Sequence, residues 1–165
     1  MRTTRTDPVQ LVRHQLAALA YRFQKAIRDA PLEFAAFEPG VGVRTPLAIV
    51  HHVVDVLGYL RGVLDGADPG FHHDHAQLDF AGEVAAFHAM LGALDTLLAS
   101  NGNIPLERLE RGLQGPISDA LTHVGQLAML RRLAGSPVRG ENFYLADVRV
   151  GRTGADQPPP RSPDP

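Results

Sequence analysis

Eight histidines, at 14, 51, 52, 72, 73, 75, 88 and 123, stand in a chain of 165 residues that has no cysteine and a single lysine, Lys25. Disulfides, thiolate nucleophiles, Cys-ligated zinc and iron–sulfur clusters are therefore excluded, and a Schiff base has one candidate. Chemistry performed with the chain's own side chains must use imidazole and carboxylate. The informative spacing is Asp119 with His123, four residues apart and so on one side of a helix. His52, inside an apolar helical stripe, is the matching residue on a second helix, with Asp55 at i+3.

Two ligands at i, i+4 and one from a facing helix make a three-ligand metal site within a bundle. Two histidines and a carboxylate suit zinc, iron(II), nickel or manganese, and leave coordination positions for water or substrate. The same residues have a plainer reading. Asp119 in a first helical turn answers the helix dipole, and His52 and His123 can be hydrogen-bonded core histidines. Spacing alone leaves both readings standing.

The remaining candidates are weaker. His51 points about 100° away from His52, so both cannot face one site, and His52 shares the stripe with Ile49, Val53 and Val56. The run His72, His73, Asp74, His75 reads as a solvated loop, with a lid over the bundle mouth as the sharper alternative. Glu83 reads as a partner of a helix N-terminus or as an acceptor for a ligand's free N–H. Gln126 can donate to a bound ligand or tie two helices together. His88, beside the apolar Phe87, reads as flanking or surface, and His14 as solvent-facing. Arg131 and Arg132 fit a helix C-terminus.

Four segments of helical periodicity must position these groups. The first runs from about Pro8 to Arg28, capped by Asp7, with Val12, Leu16, Leu19, Phe23 and Ile27 on one face. Pro31, Pro39, Gly40 and Gly42 make the next stretch a long loop with room for one short turn. The second helix opens on Thr45–Pro46 with a stripe of Ile49, His52, Val53, Val56, Leu60 and Val63, ending at Gly66 to Gly70. The third spans about Phe80 to Ala99 on Val84, Phe87, Leu91, Leu94 and Leu98, and Asn101–Gly102 stops it. The fourth follows Gly115–Pro116 and reaches about Ala134. The expected fold is an all-α four-helix bundle over residues 1–150, with a Pro-rich disordered tail over 151–165. The long first loop suggests a crossover.

The stretches T-P-L-A-I-V-H-H-V-V-D-V-L-G-Y-L and D-A-L-T-H-V-G-Q-L-A-M-L-R-R-L-A-G-S-P resemble the DinB/YfiT-like superfamily of metal-binding four-helix bundles. The sharpest part is the H-x-G-Q box, His123 to Gln126, which in that family closes an H-x-x-x-H-x-G-Q motif. The resemblance implies a metal held by His52, Asp119 and His123, with Asp55 at the family's acidic position. Asp119 stands where the family usually has histidine, which converts a three-histidine site to two His and one carboxylate. It also implies a divalent transition metal cofactor, a homodimer and a metal-dependent transferase, isomerase or hydrolase. Such an enzyme would use a low-molecular-weight thiol cosubstrate, which suits a chain without cysteine. The alternatives are a non-catalytic metal or small-molecule binding bundle and a dimeric bundle that has lost its metal.

A formal charge of −2 and a pI near 6.4 argue against nucleic-acid binding. No signal-peptide core or membrane-length apolar run is read in the sequence, so no membrane partner is expected and the expected location is cytoplasmic.

Overall fold

A computed structural model describes residues 7–161. Helix α1, Pro8–Ile27, starts where Asp7 Oδ1 accepts from Val9 N–H at 3.0 Å and Pro8 takes the first helical position. Its expected stripe, Val12 to Ile27, is buried throughout. Helix α2, Pro46–Leu64, is capped by the Thr45 hydroxyl accepting from Ala48 N–H. Helix α3, Phe80–Ser100, is capped by Asp79. All are helical because apolar residues recur at steps of three and four and a side-chain oxygen starts each, although the sequence reading named a cap only for α1 and α2.

The fourth rod of the bundle differs from expectation. It begins at Leu106, ten residues before Pro116. Helix α4, Leu106–Gly112, passes through a π turn, Leu113–Ile117, into α5, Ser118–Leu133. Proline inside an α-helix removes one N–H and clashes with the carbonyl four residues back. The wider π turn admits Pro116 without ending the helix, and the Ser118 hydroxyl takes the Leu113 carbonyl at 2.6 Å. Gly135, at φ 74°, then stops α5, with Ser136 N–H returned to the Arg131 carbonyl.

Around the bundle α1 packs on α3 and α5, and α2 packs on α3 and α5, so α1 and α2 lie on opposite corners. The segment between them therefore crosses the end of the bundle, carrying a short 3-10 turn at Leu32–Ala36 that buries Phe34. The core is one apolar cluster, with Phe23 stacked on Phe87 at its centre. Sandwiched between two neighbours, α2 buries Val50, Val54 and Leu57 as well as the Ile49–Val53–Leu60 stripe. Its length and mean hydropathy of 1.4 would suit a membrane span. Of that window 44% is buried in the bundle, and the helix carries Asp55 and Arg61.

The described part of the tail runs through Arg161 without helix or strand, and residues 162–165 lie outside the described residues. It is held by polar backbone contacts that an apolar-burial criterion does not see: the Thr153 carbonyl accepts from His88 Nδ1 at 2.7 Å, and the Gln157 carbonyl from Arg28 at 2.8 Å. His88 is consequently a buried histidine, packed edge-on to Phe23 and Phe87, and not a surface one.

The paired arginines also part company. Arg131 is buried and donates to the carbonyls of Ala26, Arg28, Asp29 and Ser136, gripping the turn after α1, while Arg132 is exposed. Arg131→Met keeps the apolar stem but leaves those carbonyls unmet, and is expected to cost about 2–4 kcal/mol in urea unfolding. Arg132→Met should stay within about 0.5 kcal/mol. Equal effects of the two would show that the grip is not structural.

Candidate metal centre

His52 leaves α2 on its second turn towards the start of α5, which presents Asp119 and His123 one turn apart, just beyond the π turn. His52 Nε2 lies 3.5 Å from Asp119 Oδ2, and His123 Nε2 lies 3.6 Å from the same oxygen. The two imidazole rings meet edge to face, with centroids 4.8 Å apart. Good hydrogen bonds would be about 2.7–3.2 Å. Donor atoms of a tetrahedral ion with bonds of about 2.0–2.1 Å lie roughly 3.3–3.4 Å apart. The spacing therefore fits a shared cation better than direct hydrogen bonding.

The protonation pattern points the same way. His123 Nδ1 lies 2.7 Å from Gln126 Oε1, an atom that can only accept, so Nδ1 carries the proton and Nε2 presents its lone pair to the gap. Burial, with help from the Arg44 cation and from His123, holds His52 below the usual imidazole range, against the opposing pull of Asp119. A neutral imidazole is the ligand form. Side-chain exposure rises from 10% at His123 through 34% at His52 to 46% at Asp119, so the trio is closed on the core side and open to solvent. Among the described residues no fourth His, Asp or Glu joins this group. A groove of about 550 Å³ runs up to His123, lined by Val43, Ile49, Met129 and Leu133 among others, with Arg44 at its edge.

Asp55 and Glu83 are brought together elsewhere, with three of the histidines. The loop after α2 folds back against α2 and α3, so that His73 and His75 are half-buried while His72 and Asp74 stay exposed. Asp55 Oδ1 receives His75 Nδ1 at 2.7 Å, His73 Nδ1 at 3.2 Å and the His75 backbone N–H. Glu83, wholly buried, meets His51 Nδ1 and His75 Nε2 at 2.9 Å each and accepts from Leu78 N–H. Burial alone would raise both carboxyls. The histidines at Asp55, and the Leu78 N–H with two histidines at Glu83, outweigh it and hold both below their ordinary values. His75 is correspondingly raised, since its two carboxylate partners outweigh its own burial. Glu83 lies in the first turn of α3, whose cap is Asp79, and its oxygens are taken by the two histidine rings.

The sequence holds one overlooked sign of this second cluster. Gly58 and Gly62 lie four apart inside α2, where glycine costs about 1 kcal/mol against alanine. A Cβ at Gly58 would stand 2.4 Å from the His73 ring, and one at Gly62 would stand 2.5 Å from Phe71. The glycines make room for the returning loop.

Comparisons with protein-family models, curated proteins and solved structures return no match to this chain. Lys25, the sole Schiff-base candidate, is committed to a buried ion pair with Glu141 at 2.8 Å, remote in sequence from both clusters.

Gly58→Ala measures how firmly the loop is seated. In an exposed helix the change would stabilise by up to about 1 kcal/mol. Here displacement of His73 is expected to reverse the sign, with a net loss of about 1–3 kcal/mol. Faster amide exchange over residues 71–79 should accompany it. A stabilised variant with unchanged exchange would show that the loop is not packed on α2.

Proposed function

We propose that this chain is a DinB/YfiT-like protein that holds one divalent transition metal between α2 and α5 and uses it in thiol-dependent transferase or hydrolase chemistry. The observation that carries this reading is the set of 3.5 and 3.6 Å gaps around Asp119 Oδ2, with both facing imidazole nitrogens in a ligand-ready orientation. His52 Nε2, His123 Nε2 and the Asp119 carboxylate would be the ligands. Zinc, nickel, iron(II) and manganese all accept this donor set. When bound, the metal supplies Lewis acidity that lowers the pKa of a coordinated thiol or water.

The chain's own residues have separate tasks. Gln126 fixes the His123 tautomer and orients its ring. The half-exposed Asp119 leaves the solvent side of the centre free for an incoming ligand. The apolar wall of Val43, Ile49, Met129 and Leu133 holds the substrate body and keeps water from one side of the reacting atoms. With no cysteine in the chain, the sulfur nucleophile arrives as a low-molecular-weight thiol. A homodimer is part of the same proposal, by resemblance alone. The open face and adjoining groove favour an enzyme over a purely structural site, which would be closed by a fourth protein ligand.

Metal analysis of untagged protein tests the centre. Asp119→Ala and His123→Ala are each expected to lose this ion, and Gln126→Ala to weaken its affinity by about 10-fold or more. Thiol ligation in cobalt-substituted protein should appear as a sulfur-to-cobalt charge-transfer band on adding a small thiol. Wild-type metal content in both ligand variants would overturn the assignment.

A further inference from the structure

The cluster between α2, α3 and the returning loop has a particular two-sided order. Glu83 offers its two buried oxygens to one nitrogen from each of two rings, His51 Nδ1 and His75 Nε2, both at 2.9 Å. The opposite nitrogen of each ring turns towards a second carboxylate, Asp55. His75 Nδ1 lies 2.7 Å from its Oδ1, and His51 Nε2 lies 3.6 Å from its Oδ2. Two imidazoles thus converge on one carboxylate and share another behind them.

Metal-binding histidines have this arrangement: one nitrogen on the ion, the other holding its proton against a carboxylate that fixes the tautomer. The 2.9 Å separations are hydrogen-bond distances in the ion-free cluster, and an ion would take the place of the protons that now join His51 Nδ1 and His75 Nε2 to Glu83. We infer that His51 Nδ1, His75 Nε2 and the Glu83 carboxylate form a second divalent-metal site, with Asp55 behind it, hydrogen-bonded to His75 and facing His51. Zinc, manganese, iron(II) or nickel suits this donor set.

Loading the site balances as a proton exchange. Both nitrogens of His75 face carboxylate oxygens, so both carry protons before the ion enters. The Nε2 proton leaves to solvent, and Nδ1 keeps its hydrogen bond to Asp55. The His51 proton moves from Nδ1 to Nε2, which faces Asp55 Oδ2 at 3.6 Å. Two carboxylates and one imidazolium carry a net −1, whereas two carboxylates and a divalent ion carry zero. A fully buried Glu83 favours that neutral state.

His73, bonded to Asp55 at 3.2 Å, stays outside the ligand set and helps seat the loop. An ion here would tie the loop through His75 to α2 through His51 and to α3 through Glu83. The inference does not depend on metal between α2 and α5, because His51 and His52 leave α2 on different faces.

The test uses full-length protein with the other centre removed by Asp119→Ala and His123→Ala together. That double variant, alone or with His75→Gln or Glu83→Gln added, is loaded with zinc, freed of loosely held ion by a weak chelator, and analysed for bound metal. Circular dichroism melts are run with and without zinc. The double variant is expected to retain about one equivalent and to show a zinc-dependent rise in Tm. Either added substitution should abolish both. His75→Gln changes a half-exposed loop residue and Glu83→Gln is isosteric, so loss of fold in one leaves the other to decide. A double variant without retained zinc or a zinc-dependent Tm would overturn the second site. Retention that neither added substitution alters would overturn it as well. Equal zinc in wild type and the double variant would count against the α2–α5 centre and still support this one.

Discussion

Successive side chains on a helix diverge by about 100°, and on α2 that angle falls between His51 and His52. His51 turns towards α3 and the returning loop, His52 towards α5. Because α2 is flanked by both neighbours, each histidine meets a carboxylate presented by a different partner: Glu83 from α3, Asp119 from α5. The apolar residues of α2 must then be buried on two sides at once, which is why its core face is broad. A rotation of α2 about its axis would unmake both clusters together, so the packing of Ile49, Val53, Leu57 and Leu60 sets the geometry of the polar groups.

The two clusters hold their charges differently. Around Asp119 the contacts are long, one imidazole is held in its ligand tautomer, and one side is open. Around Asp55 and Glu83 the contacts are short, the carboxylates are saturated with donors, and the ring nitrogens are protonated. Burial explains the contrast. Asp119 is half in water and tolerates long contacts, whereas an unpaired Glu83 carboxylate in the core would cost several kcal/mol. The loop that carries His75 is therefore part of the charge balance of α3.

Sequence reading reached the parts governed by local rules. The apolar periodicity of α1 and α3, the caps Asp7 and Thr45, and the shared side of Asp119 and His123 follow from spacing along single helices, whereas the approach of His52 to that pair is a contact between helices. It failed where long-range contact overrode a local signal. Pro116 reads as a helix break, and only the π turn and the Ser118 hydroxyl show how the helix continues. His88 reads as a surface residue beside Phe87, and only its contact with the Thr153 carbonyl shows why it is buried. Asp55 and Glu83 were legible as candidates, yet their partners depended on where the 71–79 loop lands. Only Gly58 and Gly62 hinted at that, through the space they leave.

The composition also constrains the chemistry of the proposed α2–α5 centre. Its imidazole nitrogens and carboxylate are all positioned as ligands, so none is free to attack a substrate. Lys25 is tied to Glu141, and the chain has no thiol of its own. On the proposed reading a nucleophile would enter from solvent on the Asp119 side, and the apolar groove beside His123 would receive the other reactant. In the proposed centre the Asp119 carboxylate would lower the net charge around the ion where a third histidine would not. That charge would ease release of a bound thiolate and at the same time lower the Lewis acidity that acidifies the thiol.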